Sequence, residues 1–249
     1  MDRRYLSDAR VVAASRDFVC IRLATYESKE EAELLKSIFL GRSGELENTV
    51  FALLAPSGEK IGGAGRTPEF AYAGPEPMAE AMKQIAAKYP GRKDDAHEFP
   101  RMKDLRLALN VAACDGLPLL VALAPDREEL ARMEQRLKPV VWGKEAAGRF
   151  IHCSLRDAKE LAPVSGVTRK SGLLLIQPDA FGLKGSMLLE LDAELAPAEL
   201  EKGLARARSL FKTVEKDPSA HIREANRRGL HWETLIPDTD PGPGAPPKK

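Results

Sequence analysis

Apolar residues along the chain fall into short continuous runs and longer helical stripes, set apart by polar turns, and the same alternation occurs twice. In the first half, Ser7 or Asp8 can cap a helix over about 7–15 in which Ala9, Val12 and Ala13 share one face. The run Phe18-Val19-Cys20-Ile21-Arg22-Leu23 is aromatic and β-branched, which predicts a strand covered on both faces. Ser28-Lys29-Glu30-Glu31 is a capping box that opens a helix with Leu34, Leu35, Ile38 and Phe39 inward, ending near Gly41. Thr49 to Leu54 predicts a second buried strand, and Pro56-Ser57-Gly58 the turn of a β-hairpin. Pro77 suits the first position of a helix whose Met78, Met82, Ile85 and Tyr89 recur at helical spacing. The stretch from Pro90 to Pro100 has the turn-forming, charged composition of a linker.

The second half repeats this plan with one unit added in front. Leu105, Leu109 and Ala112 mark a helix closed by Gly116, and Leu117 to Leu123 a strand with Pro118 at its start. Asp126 with Glu129 is a capping box for a helix running to about Leu137, and Phe150 to Leu155 is the next strand. Asp157 with Glu160 starts a short helix, Leu173 to Gln177 and Ser186 to Asp192 pair as a hairpin, and Pro197 opens a helix with Leu200, Leu204 and Phe211 inward. The expected fold is α/β, with parallel units that end in an antiparallel hairpin and a helix: a mixed sheet flanked by helices. Residues 1–95 and 96–214 are the two expected domains. A tail, 215–249, carries a short helix ended by Gly229, an apolar strip of Leu230, Trp232, Leu235 and Ile236 expected to pack on a domain or a second copy, and a Pro/Gly-rich disordered end.

Composition narrows the function classes. At 249 residues, with 43% hydrophobic and 30% charged positions, the chain can bury a sizeable core. The net charge is +1, and regional charges are −2 for 1–98, +3 for 99–216 and zero beyond. Without a basic domain there is no electrostatic case for nucleic acid or an anionic membrane. The N-terminal sequence has no long apolar signal-type run and no stretch approaches 18 apolar residues, so a soluble chain is expected, cytoplasmic if Met1 is its natural start. The three cysteines, Cys20, Cys114 and Cys153, form no Cys-x-x-Cys. His97, His152, His221 and His231 stand in no metal-ligand spacing, so neither metal nor cofactor is expected.

The order of elements, with Ala55-Pro56-Ser57-Gly58-Glu59-Lys60 as a hairpin turn after an apolar strand, resembles the thioredoxin-like superfamily. The resemblance implies two tandem thioredoxin-like units over roughly 1–212, the first lacking its N-terminal strand. It also implies thiol-disulfide exchange by a Cys-x-x-Cys at the start of the helix after a strand, where the helix dipole favours a thiolate, faced by a proline before the hairpin. In the second unit those places read Ala124-Pro125-Asp126-Arg127-Glu128 and Lys170 or Ser171, without sulfur or proline. In the first unit the proline place is Asn48, and Met1-Asp2-Arg3-Arg4 through Ser7 to Val12 resembles the continuation of such a helix. The active-site face by resemblance is Asp2, Arg3, Asn48 and Thr49. The expectation is a member of the exchange family that is redox-inactive as it stands, its Cys-x-x-Cys or selenocysteine variant preceding Met1. Oxidoreductase activity follows only if such a segment exists. The alternative is a non-catalytic thioredoxin-like interaction module, its uncovered sheet edge met by a partner. A protein client or self-association, for instance as a homodimer, is the expected partner.

Cys20 and Cys153, within apolar strands, read as inert structural thiols, and Cys114 ends a helix where the dipole disfavours a thiolate. His152 and Cys153 are strand neighbours pointing to opposite faces and form no nucleophile-base pair. Gly62-Gly63-Ala64-Gly65-Arg66 lacks the Lys-Ser/Thr of a phosphate loop and reads as a flexible loop, although Arg66 and Arg42 remain candidates for an anion or partner contact.

Overall fold

The computed structural model describes residues 2–21, 23, 28–40, 44, 50–89, 99–143, 146–213 and 217–230. The chain forms two compact units, changing from one to the other between Asp95 and Ala96.

The first unit is mostly helical among its described residues. A π-helical turn, Asp2–Leu6, leads into α1 (Ala9–Ser15), capped by the Asp8 carboxylate, which accepts from the Arg10 amide at 2.9 Å. The buried face of α1 is Val11 and Ala14, and Val12 is exposed; the stripe of Ala9, Val12 and Ala13 is therefore not the inward one. Ser28 caps α2 (Lys29–Ile38) as the capping box requires, while Ala32 and Ile38 bury and Leu34 stays exposed. Phe18 to Leu23 corrects the expected strand. Its described residues pair with no other strand, Val19 and Ile21 are 84% and 63% exposed, and Cys20 is exposed rather than a buried core thiol. A strand needs a neighbour for its backbone groups, and none is present there among the described residues.

The hairpin is present only as two isolated antiparallel bridges, Phe51 with Gly65 and Leu54 with Lys60, and Gly58 at φ +86° makes the turn. The uncovered edge of an extended sheet is thus not found among the described residues of this unit. After a 3-10 turn (Pro68–Phe70), α3 (Pro75–Ala86) starts two residues ahead of Pro77, whose missing amide costs nothing in a first turn. Met78, Ala79 and Met82 of α3 pack with Leu53, Val11 and Tyr5, and the Tyr5 hydroxyl donates to the Tyr72 carbonyl at 2.8 Å.

The glycine run is explained by close packing. A Cβ on Gly63 would lie 2.2 Å from the Ala71 Cβ and 3.3 Å from its Cα, and Gly65 exchanges both backbone hydrogen bonds with Phe51. These glycines let two chain segments touch; they do not line a phosphate cradle. Gly63→Ala is expected to destabilise the first unit by about 1–3 kcal/mol. In a urea-denaturation double-mutant cycle Ala71→Gly should recover much of that loss. Additive losses would sink the explanation.

The second unit, Ala96–His231, is α/β with an open five-stranded mixed sheet. In chain order it consists of α4 (Leu105–Asp115), β1 (Leu119–Leu123), α5 (Arg127–Val141), β2 (Ile151–Leu155), a 3-10 turn (Ala158–Leu161), β3 (Val164–Ser165), β4 (Gly172–Pro178), β5 (Gly185–Leu191), α6 (Pro197–Leu210) and α7 (Pro218–Arg227). The sheet order is β2-β1-β4-β5-β3. β1 and β2 are parallel, β1 and β4 antiparallel, β4 and β5 antiparallel, and the short β3, not foreseen from the sequence, runs parallel to β5.

Continuous apolarity explains why β1 and β4 are central. Leu119 to Leu123 and Leu173 to Ile176 are fully buried, with one face against α4 and the other against α5 and α6. Asp104 caps α4, and Gly116 ends it at φ +65°. Helix α5 passes the expected end at Leu137 and continues through Pro139 to Val141. In α6, Ala207 is buried with Leu200 and Leu204, while Phe211 is only half-buried at the cap. The helix expected within the tail, α7, belongs to this unit: the His221 ring stacks on Phe181 with centroids 4.5 Å apart, and the Arg228 guanidinium lies over the same ring. Trp232 to Lys249 lie outside the described residues.

Candidate functional site

The segment preceding α4 runs alongside β2. Met102 donates its amide to the His152 carbonyl at 2.9 Å and accepts from the Ser154 amide at 3.0 Å, which covers the outer edge of β2. Alternation then assigns faces: Met102 and Cys153 go to the α4 side, and Phe99, His152 and Ser154 to the α5 side. On α5, Arg127, Leu130, Ala131 and Glu134 recur at i, i+3, i+4 and i+7 and form one stripe. Where this stripe meets Arg101, Lys103, Ser154 and Arg156 lies a cleft of about 820 Å³. It opens outside the carboxyl ends of the parallel strands β1 and β2, the usual ligand position of open α/β sheets.

The cleft is built on a fixed floor. Ser154, 8% exposed, donates its hydroxyl to Glu134 Oε1 at 2.6 Å, and Arg101 Nη1 donates to Glu134 Oε2 at 3.1 Å. The Glu134 side chain is 13% exposed, so its charge needs both partners. At the rim, Asp126 accepts from the Glu129 amide at 2.8 Å and caps α5, and Asp157 accepts from the Lys159 amide at 2.9 Å and caps the 3-10 turn. Ser171 Oγ donates to Glu129 Oε1 at 2.7 Å, tying the loop before β4 to the first turn of α5.

Two titratable groups lie just behind the cleft wall. Burial pulls the His152 imidazole down to about 4; its ring lies edge-on to Phe99, and its Nε2 has no hydrogen-bond partner. Burial, with Glu160 and Asp104 adding to it, pushes the Cys153 thiol up to about 12. It is therefore an inert hydrophobe at neutral pH.

Of the residues singled out from the sequence, Asp2 and Arg3 lie on the Asp2–Leu6 turn, with side chains outside the described set. Arg42, Asn48 and Thr49 also lie outside the described residues, and Arg66 is an exposed residue directly after the Phe51–Gly65 bridge. Of the cleft residues, the sequence singles out Pro125 and Arg127 at the start of α5, but not Arg101, Lys103, Glu134, Ser154 or Arg156. The usable signal was the Arg127-Leu130-Ala131-Glu134 stripe opening at a capped helix start just after a buried strand. Among the described residues no group of three or more His, Cys, Asp or Glu is placed to hold a metal, and no helix is long and apolar enough to cross a membrane. No family model matches the chain, and no curated protein matches it.

Proposed function

We propose that the second unit is a thioredoxin-like domain and that the chain acts as a non-catalytic binding module through the cleft at the start of α5. The parallel pair β1 and β2, joined by α5 and followed by an antiparallel hairpin and a closing helix, supports the fold reading. In the first unit the tandem reading has narrower support: a hairpin turned at Ala55 to Glu59 and followed by a helix. One observation carries the functional reading. The start of α5, where the resemblance would put a dithiol, carries Pro125 and Arg127 on the wall of a cleft whose floor is held by Glu134, Ser154 and Arg101.

Thiol-disulfide exchange at this place would need a thiolate facing the cleft. Cys153 faces the α4 side and stays protonated, so the sheet supplies none there. The full reduced chain is expected to reduce an insulin-type disulfide no faster than a chain with all three cysteines changed to serine. In an amide NMR screen of small anionic, neutral and cationic compounds, the largest shifts should cluster at Arg127, Ala131 and Arg156. Cysteine-dependent turnover, or compounds of every class avoiding the cleft, would overturn the reading.

A further inference from the structure

We infer that the cleft receives an oxyanion of two or more charges, such as a phosphomonoester or a diphosphate end. The inference rests on the cleft being the binding site. Its charge lining is mixed in composition and unequal in availability. Glu134 is taken by Arg101 and Ser154, and Asp157 points a carboxylate oxygen at the Lys159 amide. Among the described residues Lys103, Arg127 and Arg156 line the same cleft with no ion pair. Glu160 is the remaining acid on the wall, so the lining carries four cations, Arg101, Lys103, Arg127 and Arg156, against three acids.

The backbone adds donors of the same sense. Asp126 occupies the Glu129 amide, so the amides of Arg127 and Glu128 remain the unsatisfied helix-start donors of α5 beside those cations. Two guanidinium forks present planar donor pairs suited to oxyanion geometry, whereas a lone ammonium supplies only a point charge. The volume, about 820 Å³, leaves room for a small organic group attached to the oxyanion.

Binding of inorganic pyrophosphate and of phenyl phosphate to the full chain, followed by amide NMR and calorimetry, tests this. Saturable shifts are expected at Arg127, Glu128 and Arg156. Arg127→Ala and Arg156→Ala should each weaken binding by about tenfold, as loss of a charge-assisted hydrogen bond does. Glu160→Gln should tighten it, and all three variants should keep wild-type spectra elsewhere. Tighter pyrophosphate binding points to a diphosphate source and tighter phenyl phosphate binding to a monoester; both support the inference. Shifts scattered over basic residues and unaltered by Arg127→Ala would overturn it. If neutral or cationic compounds fill the cleft and pyrophosphate does not, the anion inference fails while the binding reading stands. If no class enters the cleft, both fail.

Discussion

Replacing His152 by phenylalanine is expected to remove about 3 kcal/mol of acid sensitivity from the second unit. The imidazole is 6% exposed, packs between Phe99 and Phe150, and has a buried Nε2 without a partner. Burial lowers its folded-state value from 6.5 to about 4. The unfolded chain therefore binds the proton more readily than the folded one between those two values, and stability rises with pH across that window. The contribution is fully present above about 6.5. It is lost progressively as pH falls toward 4, and no further loss comes from this group below that. A gap of that size corresponds to about 3 kcal/mol, a large share of a typical domain's stability. A phenyl ring fills nearly the same space and leaves no orphaned nitrogen. Urea midpoints at pH 7 and pH 4.5, read by Trp142 fluorescence in a Trp232→Phe background, should move much less in His152→Phe than in the parent. Equal movement in both proteins would show that His152 is not the acid-labile group. Carboxylates such as Glu190, lowered by the hydrogen bonds from Thr168, contribute equally to both proteins and cancel in the comparison.

The second unit was more legible in the sequence than the first for a physical reason. Its strands are buried on both faces, so Leu119 to Leu123 and Leu173 to Ile176 carry the continuous apolar runs that suit a central strand, and its helices carry side-chain caps at Asp104, Asp126 and Asp157. Phe18 to Leu23 has the same local preference without the same outcome. Strand propensity expresses how well a residue fits a pleated surface already paired with neighbours, and here the described residues supply no pairing partner. Periodicity alone points to the wrong face of α1 because a seven-residue helix offers two overlapping apolar stripes; Tyr5, Met78 and Leu53 decide between them. Most of the cleft is not legible in the sequence because it is a tertiary product. Arg101, Glu134 and Ser154 are 20 or more residues apart, and only the parallel bridge at Met102 brings Arg101 to the α5 side of β2. The expected site in the first unit was tied to Asn48 and Thr49, which lie outside the described residues.

Gly182→Ala is expected to cost the second unit about 2–4 kcal/mol, although it adds a single methyl group in a hairpin turn. Gly182 sits between β4 and β5 at φ +66°, a conformation that costs an L-residue about 1 kcal/mol. Its missing Cβ is also needed for contact. A methyl there would stand 2.5 Å from the Asn110 Cα and 3.0 Å from the Leu109 carbonyl oxygen, both backbone atoms of α4 that cannot rotate away. The turn cannot retreat easily. Asp179 holds it by accepting the Leu183 amide at 2.9 Å and by donating its own amide to the Lys184 carbonyl at 2.8 Å. Relief must come from moving α4 off the sheet, which opens the core around Leu109 at an overpacking cost of about 1–3 kcal/mol. Gly148 provides the control, with φ +70° and nothing within 4 Å of the place its methyl would take, so Gly148→Ala should show the conformational cost alone, about 1 kcal/mol. Chemical denaturation of the two variants separates the contributions. If both lose the same amount, the turn does not press on α4 as described; a loss for Gly182→Ala at least twice that of Gly148→Ala supports a hairpin turn packed directly on the helix backbone.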